Sequence, residues 1–129
     1  FSYRRSAFSD GERVTLGAKF QLEPDDPAAI RGRMDDLARR RKEKQPLEYP
    51  SAGSMFKRPA GHFAAALIEQ CGLKGLTVGG AQVSEKHAGF VINRGGATCA
   101  DVLALVDQVK ERVLQQTGVE LEMEVRVLR

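Results

Sequence analysis

The sequence predicts an α+β fold, a small mixed sheet with packed helices preceded by a β-hairpin, and three observations predict it. Apolar residues recur at helical spacing in the segments 27–45, 62–70 and 98–117. They alternate with polar residues at 14–20 and 119–127. Glycine and proline clusters separate these segments, so helices and strands follow one another along the chain instead of blending.

Each element has its own signal. Val14, Leu16, Ala18 and Phe20 alternate with Thr15, Gly17 and Lys19, the pattern of a half-buried strand. Residues 3–8 are its expected hairpin partner, with the turn at Ser9, Asp10 and Gly11. Asp26 can cap a helix whose first turn holds Pro27 and whose spacing is carried by Ile30, Met34 and Leu37. That helix runs out at Pro46, and the proline- and glycine-punctuated stretch 45–61 reads as a loop. A second helix carries Phe63, Leu67 and Cys71 on one side and stops at Gly72. Two β-rich runs, 76–83 and 89–93, read as strand, turn and strand. Thr98 followed by Asp101 forms a capping box for a helix bearing Val102, Val106, Val109 and Val113, ended by Gly118. The closing segment puts Val119, Leu121, Met123, Val125 and Val127 on one face and Glu120, Glu122, Glu124 and Arg126 on the other.

A chain of 129 residues with 42% apolar content can bury one ordinary core. No apolar run approaches the roughly 20 residues of a membrane span, and the first residues lack a signal-peptide layout, so the expectation is a cytoplasmic protein without a membrane partner. The chain does not begin with Met and opens in strand-like sequence, which reads as a piece of something longer. Cys71 and Cys99 lack the spacing of a zinc site, and His62 and His87 form no metal pair, so no metal is expected. The net charge of +3 is uneven: residues 27–44 hold seven cations against Asp35, Asp36 and Glu43, a local +4. Such a helix can meet phosphates or simply present a solvated face.

The loop 50–59 is the most chemical stretch. Its small residues allow close approach to the backbone, Gly53 permits unusual torsions, and Ser54 stands between that glycine and the cations Lys57 and Arg58. The residues alone fit either an anion site or a tight connection with a capping serine.

Five ordered blocks decide between these readings. YPSAGSMFKRP at 49–59, AALIEQCGLKG at 65–75, VGGAQVSEKHAGFVIN at 78–93, LEMEVRVL at 121–128 and FSYRRSAF at 1–8 together resemble the MurB reductases, the UDP-N-acetylenolpyruvoylglucosamine reductases. The resemblance covers most of the chain outside 21–37. It implies 1–22 as the end of a flavin-binding domain, 23–46 as a linking helix and 47–129 as the substrate-binding C-terminal domain, with the N-terminal flavin-binding region of the same protein as partner. It further implies FAD as bound cofactor, held mainly by that N-terminal region, and NADPH as reductant. The substrate it implies is UDP-N-acetylglucosamine enolpyruvate, reduced to UDP-N-acetylmuramate for peptidoglycan synthesis.

Reduction of an enolpyruvyl double bond by hydride leaves a carbon that must take a proton, which calls for a placed acid and an electrophilic clamp. The resemblance puts Ser54 in the position of the proton donor, Arg4 in that of the arginine on the substrate carboxylate, and Glu124 in that of the glutamate acting on the same group. Tyr3 precedes the arginine as in the family. For substrate binding, Lys44, Lys57, Arg58 and His87 are the candidates. One branch of the family has Asn where Arg58 stands and Gln where His87 stands, and that branch carries a tyrosine-bearing loop which PDDP at 24–27 replaces. The chain is similar to the shorter branch.

Two other readings compete. A basic nucleic-acid-binding module would use the 31–44 helix, but aromatic residues are not interleaved with its cations. A non-catalytic interaction domain would scatter Ser54, Arg4 and Glu124 over different surfaces.

Overall fold

A computed structural model describes residues 2–9 and 11–128. The chain divides into two compact units, Phe1–Met34 and Asp35–Arg129. The elements in order are α1 (Pro27–Lys44), β1 (Ser51–Ser54), α2 (Ala64–Gln70), β2 (Thr77–Val78), β3 (Ala81–Val83), β4 (Phe90–Asn93) and α3 (Cys99–Thr117).

Asp10 of the expected turn lies outside the described residues, and among those described in the first unit the expected hairpin is not formed. Ser2 and Arg5 close a tight turn on each other instead, with Arg4 in the left-handed region at φ 54°. Residues 13–26 carry no regular structure, and Val14, Leu16, Phe20 and Leu22 stand exposed. Alternation records which side chains share a face, but a strand also needs a neighbouring edge to take its N–H and C=O groups. Among the described residues that segment has none. The cap of α1 matches the expectation, since the Asp26 carboxylate accepts the Ala29 N–H at 2.9 Å. The Arg33 guanidinium holds the Asp25 carboxyl below the usual carboxylate range, helped by the Asp26 N–H.

The second unit holds the core. Its sheet has the order β1-β4-β3-β2, and every pairing is antiparallel, so the sheet is not mixed as expected. The apolar run 76–83 is a hairpin in itself: Val78 faces Ala81 across a two-residue Gly79-Gly80 turn. Gly80 has a packing reason as well, because a Cβ there would lie 2.4 Å from the Gly95 carbonyl oxygen. α3 buries Leu105, Val106, Val109 and Val113 against this sheet and against Leu67 and Ile68 of α2. Phe63, expected on the buried side of α2, is 60% exposed at its N-cap, and Ala64 and Ile68 take the inner face.

The capping box of α3 is complete. The Asp101 N–H donates to Thr98 Oγ1 at 3.1 Å and the Thr98 N–H donates to the Asp101 carboxylate at 2.9 Å. The left-handed Gly118 (φ 71°) closes the other end through its N–H to the Leu114 carbonyl.

The closing segment behaves as an extended strip instead of a strand. Leu121 is buried, and Val119, Met123 and Val125 pack half-buried on the core, so the expected apolar face holds as far as Val125, while Val127 beyond it is exposed. Among the described residues of this segment, Met123 alone makes a strand-type bridge, to Phe56. No described helix is long and apolar enough to cross a membrane.

Candidate functional site

Part of the segment expected as a loop is an edge strand, and its irregularity sets the site. Ser51 faces Ile92 and Ser54 faces Phe90, so three steps on β1 match two on β4. The additional residue is a β-bulge, with Gly53 at φ 84° between the two pairs. A Cβ at Gly53 would meet nothing within 4 Å, so torsion and not space requires glycine there.

Beyond the bulge the chain changes partners. The Met55 N–H donates to the Gly89 carbonyl at 2.8 Å, on the β4 side. The Met55 carbonyl accepts the Glu124 N–H at 2.9 Å, and the Lys57 N–H donates to the Glu122 carbonyl at 2.8 Å. These two bonds flank the Phe56–Met123 bridge. Glu124, seventy positions from Ser54 in sequence, is thus bonded through its backbone to Met55, the residue that follows Ser54. Ser54 is exposed and Glu124 half-buried.

The other candidates in this unit are placed as follows. Lys57 forms an ion pair with Glu122 through its Nζ. The Arg58 guanidinium stacks on Phe63 at 4.0 Å from the ring centre, and its Nε donates to the His62 carbonyl at 3.4 Å. His87 is half-buried, its ring edge-on to Phe90 at 4.9 Å. Its Nδ1 accepts the Gly89 N–H at 3.1 Å, which in the neutral ring leaves Nε2 as the protonated nitrogen. Gly89 therefore connects His87 to Met55, N–H to one and carbonyl to the other. Lys44 is the last residue of α1. Tyr3 and Arg4 belong to the first unit, where the guanidinium lies 5.3 Å from the tyrosine ring centre.

Gly89 and Glu122 belong to this arrangement and were not singled out from sequence. Gly89 carries no side-chain signal, and Glu122 is one of three similar carboxylates on its face.

A hollow of about 370 Å³ opens beside β1, between Ala52, Met55, Ile92 and the start of α3 at Cys99 and Val102. Among the described residues its lining is mainly apolar and holds no cationic side chain, which does not suit the pyrophosphate of a dinucleotide. Cys71 and Cys99 are free thiols.

Residues 45–128 match the family described as UDP-N-acetylenolpyruvoylglucosamine reductase, C-terminal domain. The chain belongs to this reductase family. It is similar to the UDP-N-acetylenolpyruvoylglucosamine reductase of Clostridium novyi (strain NT), 58% identical over 127 residues that cover 98% of this chain and 41% of the relative. The corresponding protein of Pediococcus pentosaceus is 56% identical over 128 residues, covering 99% of this chain and 43% of its own. Among solved structures, the reductase (MurB) of Thermus caldophilus superposes with a TM-score of 0.64 at 40% identity, over 83% of this chain and 38% of that one. The chain therefore spans about two fifths of the length of these reductases. The α+β architecture is that of the family's C-terminal domain.

Proposed function

We propose that this chain supplies the substrate side of a full-length reductase that converts UDP-N-acetylglucosamine enolpyruvate to UDP-N-acetylmuramate in cytoplasmic peptidoglycan synthesis. The family membership supports the reaction class. The observation that supports the site is the Glu124 N–H on the carbonyl of Met55, the neighbour of Ser54, because the resemblance assigns Ser54 and Glu124 to one reaction.

FAD reduced by NADPH would supply the hydride, with FAD held mainly by the flavin-binding region that the resemblance places upstream. Ser54 then has one task. Its exposed hydroxyl gives its proton to the carbon next to the substrate carboxylate and regains one from water. Its place just after a bulge suits that task, since bulges re-aim side chains at sites. Glu124 and Arg4 act on the substrate carboxylate, and Tyr3 lies beside Arg4. Lys44, Arg58 and the Nε2–H of His87 are donors for the nucleotide diphosphate. On this reading, residues 1–22 end the flavin-binding domain, 23–46 link and 47–129 bind substrate.

The experiment is to express the protein with its upstream sequence. A yellow, FAD-containing protein whose NADPH-reduced flavin is reoxidised by UDP-N-acetylglucosamine enolpyruvate is the expected result. A flavin that the enolpyruvyl sugar leaves reduced would overturn the reading.

A further inference from the structure

Ser54 and Glu124 are held together by very little backbone. The Phe56–Met123 bridge lies outside the named strands and rests on the two hydrogen bonds that flank it. Its own side chains, buried Phe56 and half-buried Met123, are apolar, and apolar contacts are non-directional. A slip of one residue along such a strip would turn Glu124 to the opposite face. The buried apolar face of the strip, Leu121 above all, already opposes such a slip, and a bridge this short needs only a directional contact beside it to be held in place.

The Lys57–Glu122 pair meets that need. Lys57 and Glu122 are the residues on either side of the bridge at the end away from Ser54, joined by a backbone hydrogen bond and by their charges. We propose that Lys57 is a positioning residue whose ion pair with Glu122 locks 55–57 against 122–124, keeping Glu124 beside Ser54. Lys57 is then committed within the protein and is not a cation for the substrate. This inference rests on the reading of Ser54 and Glu124 as residues of the reductase site. The pair is open to water, with Glu122 at 72% exposure, so its effect is modest. About fivefold is the upper end for exposed ion pairs.

The test uses the full-length flavoprotein with three variants: Lys57→Glu, Glu122→Lys and the two combined. Flavin reoxidation by UDP-N-acetylglucosamine enolpyruvate is followed for kcat and KM, with flavin reduction by NADPH as the internal control. Amide hydrogen exchange at Lys57 and Glu124 is followed in parallel. Each single reversal should lower kcat for reoxidation about fivefold at unchanged KM and speed exchange at both amides, and the charge swap should restore both readouts. Single variants with a raised KM that the swap fails to restore would make Lys57 a substrate ligand and overturn the inference. So would a swap that recovers amide protection but not kcat. If the unaltered enzyme cannot pass electrons from its reduced flavin to the sugar, the reductase reading falls and this inference with it. Normal turnover with insensitive single variants overturns the inference alone.

Discussion

Replacing Gly53 with alanine isolates what the bulge contributes. At φ 84° an L-residue crowds its own carbonyl, at a cost of about 1–2 kcal/mol. Alanine also restricts the unfolded chain, which offsets about 0.4–1 kcal/mol of that. No atom within 4 Å meets the new methyl, so no packing clash adds to the balance. The net expectation is a loss of about 1 kcal/mol, close to a 4–8 °C fall in Tm for a domain of this size. Urea unfolding of residues 1–129 should show a lower midpoint at an unchanged slope. Gly53→Asn should lose less than alanine, because asparagine tolerates the left-handed region. Equal midpoints for all three proteins would refute the argument, and a loss above about 3 kcal/mol would mean that a clash, not torsion, rules the position.

Three further outcomes follow from the same geometry. Gly80→Ala should destabilise by about 1–3 kcal/mol in the same urea assay, more than Gly53→Ala, since its methyl would run into the backbone of Gly95 and Ala97. The Thr98 N–H and hydroxyl hold the Asp101 carboxyl below its ordinary value, with the Gly80 backbone adding to this. A depressed folded-state pKa stabilises above the unfolded carboxylate value of about 3.9 and ceases to as pH falls through the folded one, so Asp101→Asn should flatten the acid limb of a Tm–pH profile. Neutralising Lys44 or Arg58 in the full-length enzyme should weaken UDP-sugar binding, and the deficit should shrink as salt is added. Equal affinities by titration calorimetry at low salt would remove both from the nucleotide site.

How much of this was legible in the sequence depends on how local each signal is. Thr98 and Asp101 announced the start of α3 because a capping box is closed by residues three apart, and its valine stripe follows from the helical period alone. Gly79 and Gly80 were equally local, yet the run 76–83 was read through them, although a Gly-Gly pair is itself a hairpin signal. β1 was hidden by Pro50 and Gly53, which punctuate sequence like a loop but here mark an edge strand with a bulge. The strand expected at 14–20 failed for the opposite reason: its pattern is clean, but pairing depends on an edge that these residues cannot supply themselves.

The site was less legible still. No spacing rule links Ser54 to Glu124, and Glu124 differs from Glu120 and Glu122 in nothing that alternation can see. Only the family resemblance separated them. The partner of Lys57, Glu122, lies 65 residues away, beyond the reach of any local pattern. His87 shows the same limit, since the Gly89 N–H that fixes its neutral tautomer depends on the turn's shape.

The most direct measurement is Ser54→Ala in the full-length enzyme, with the two half-reactions followed separately by flavin absorbance. Reduction by NADPH should stay close to the unaltered rate. Reoxidation by the enolpyruvyl sugar should slow by ~10²–10⁴-fold, the usual contribution of a placed general acid, and Ser54→Cys should recover part of it. If Ser54→Ala instead raises KM and leaves kcat intact, the hydroxyl serves only uniform binding, and Ser54 is not the proton donor.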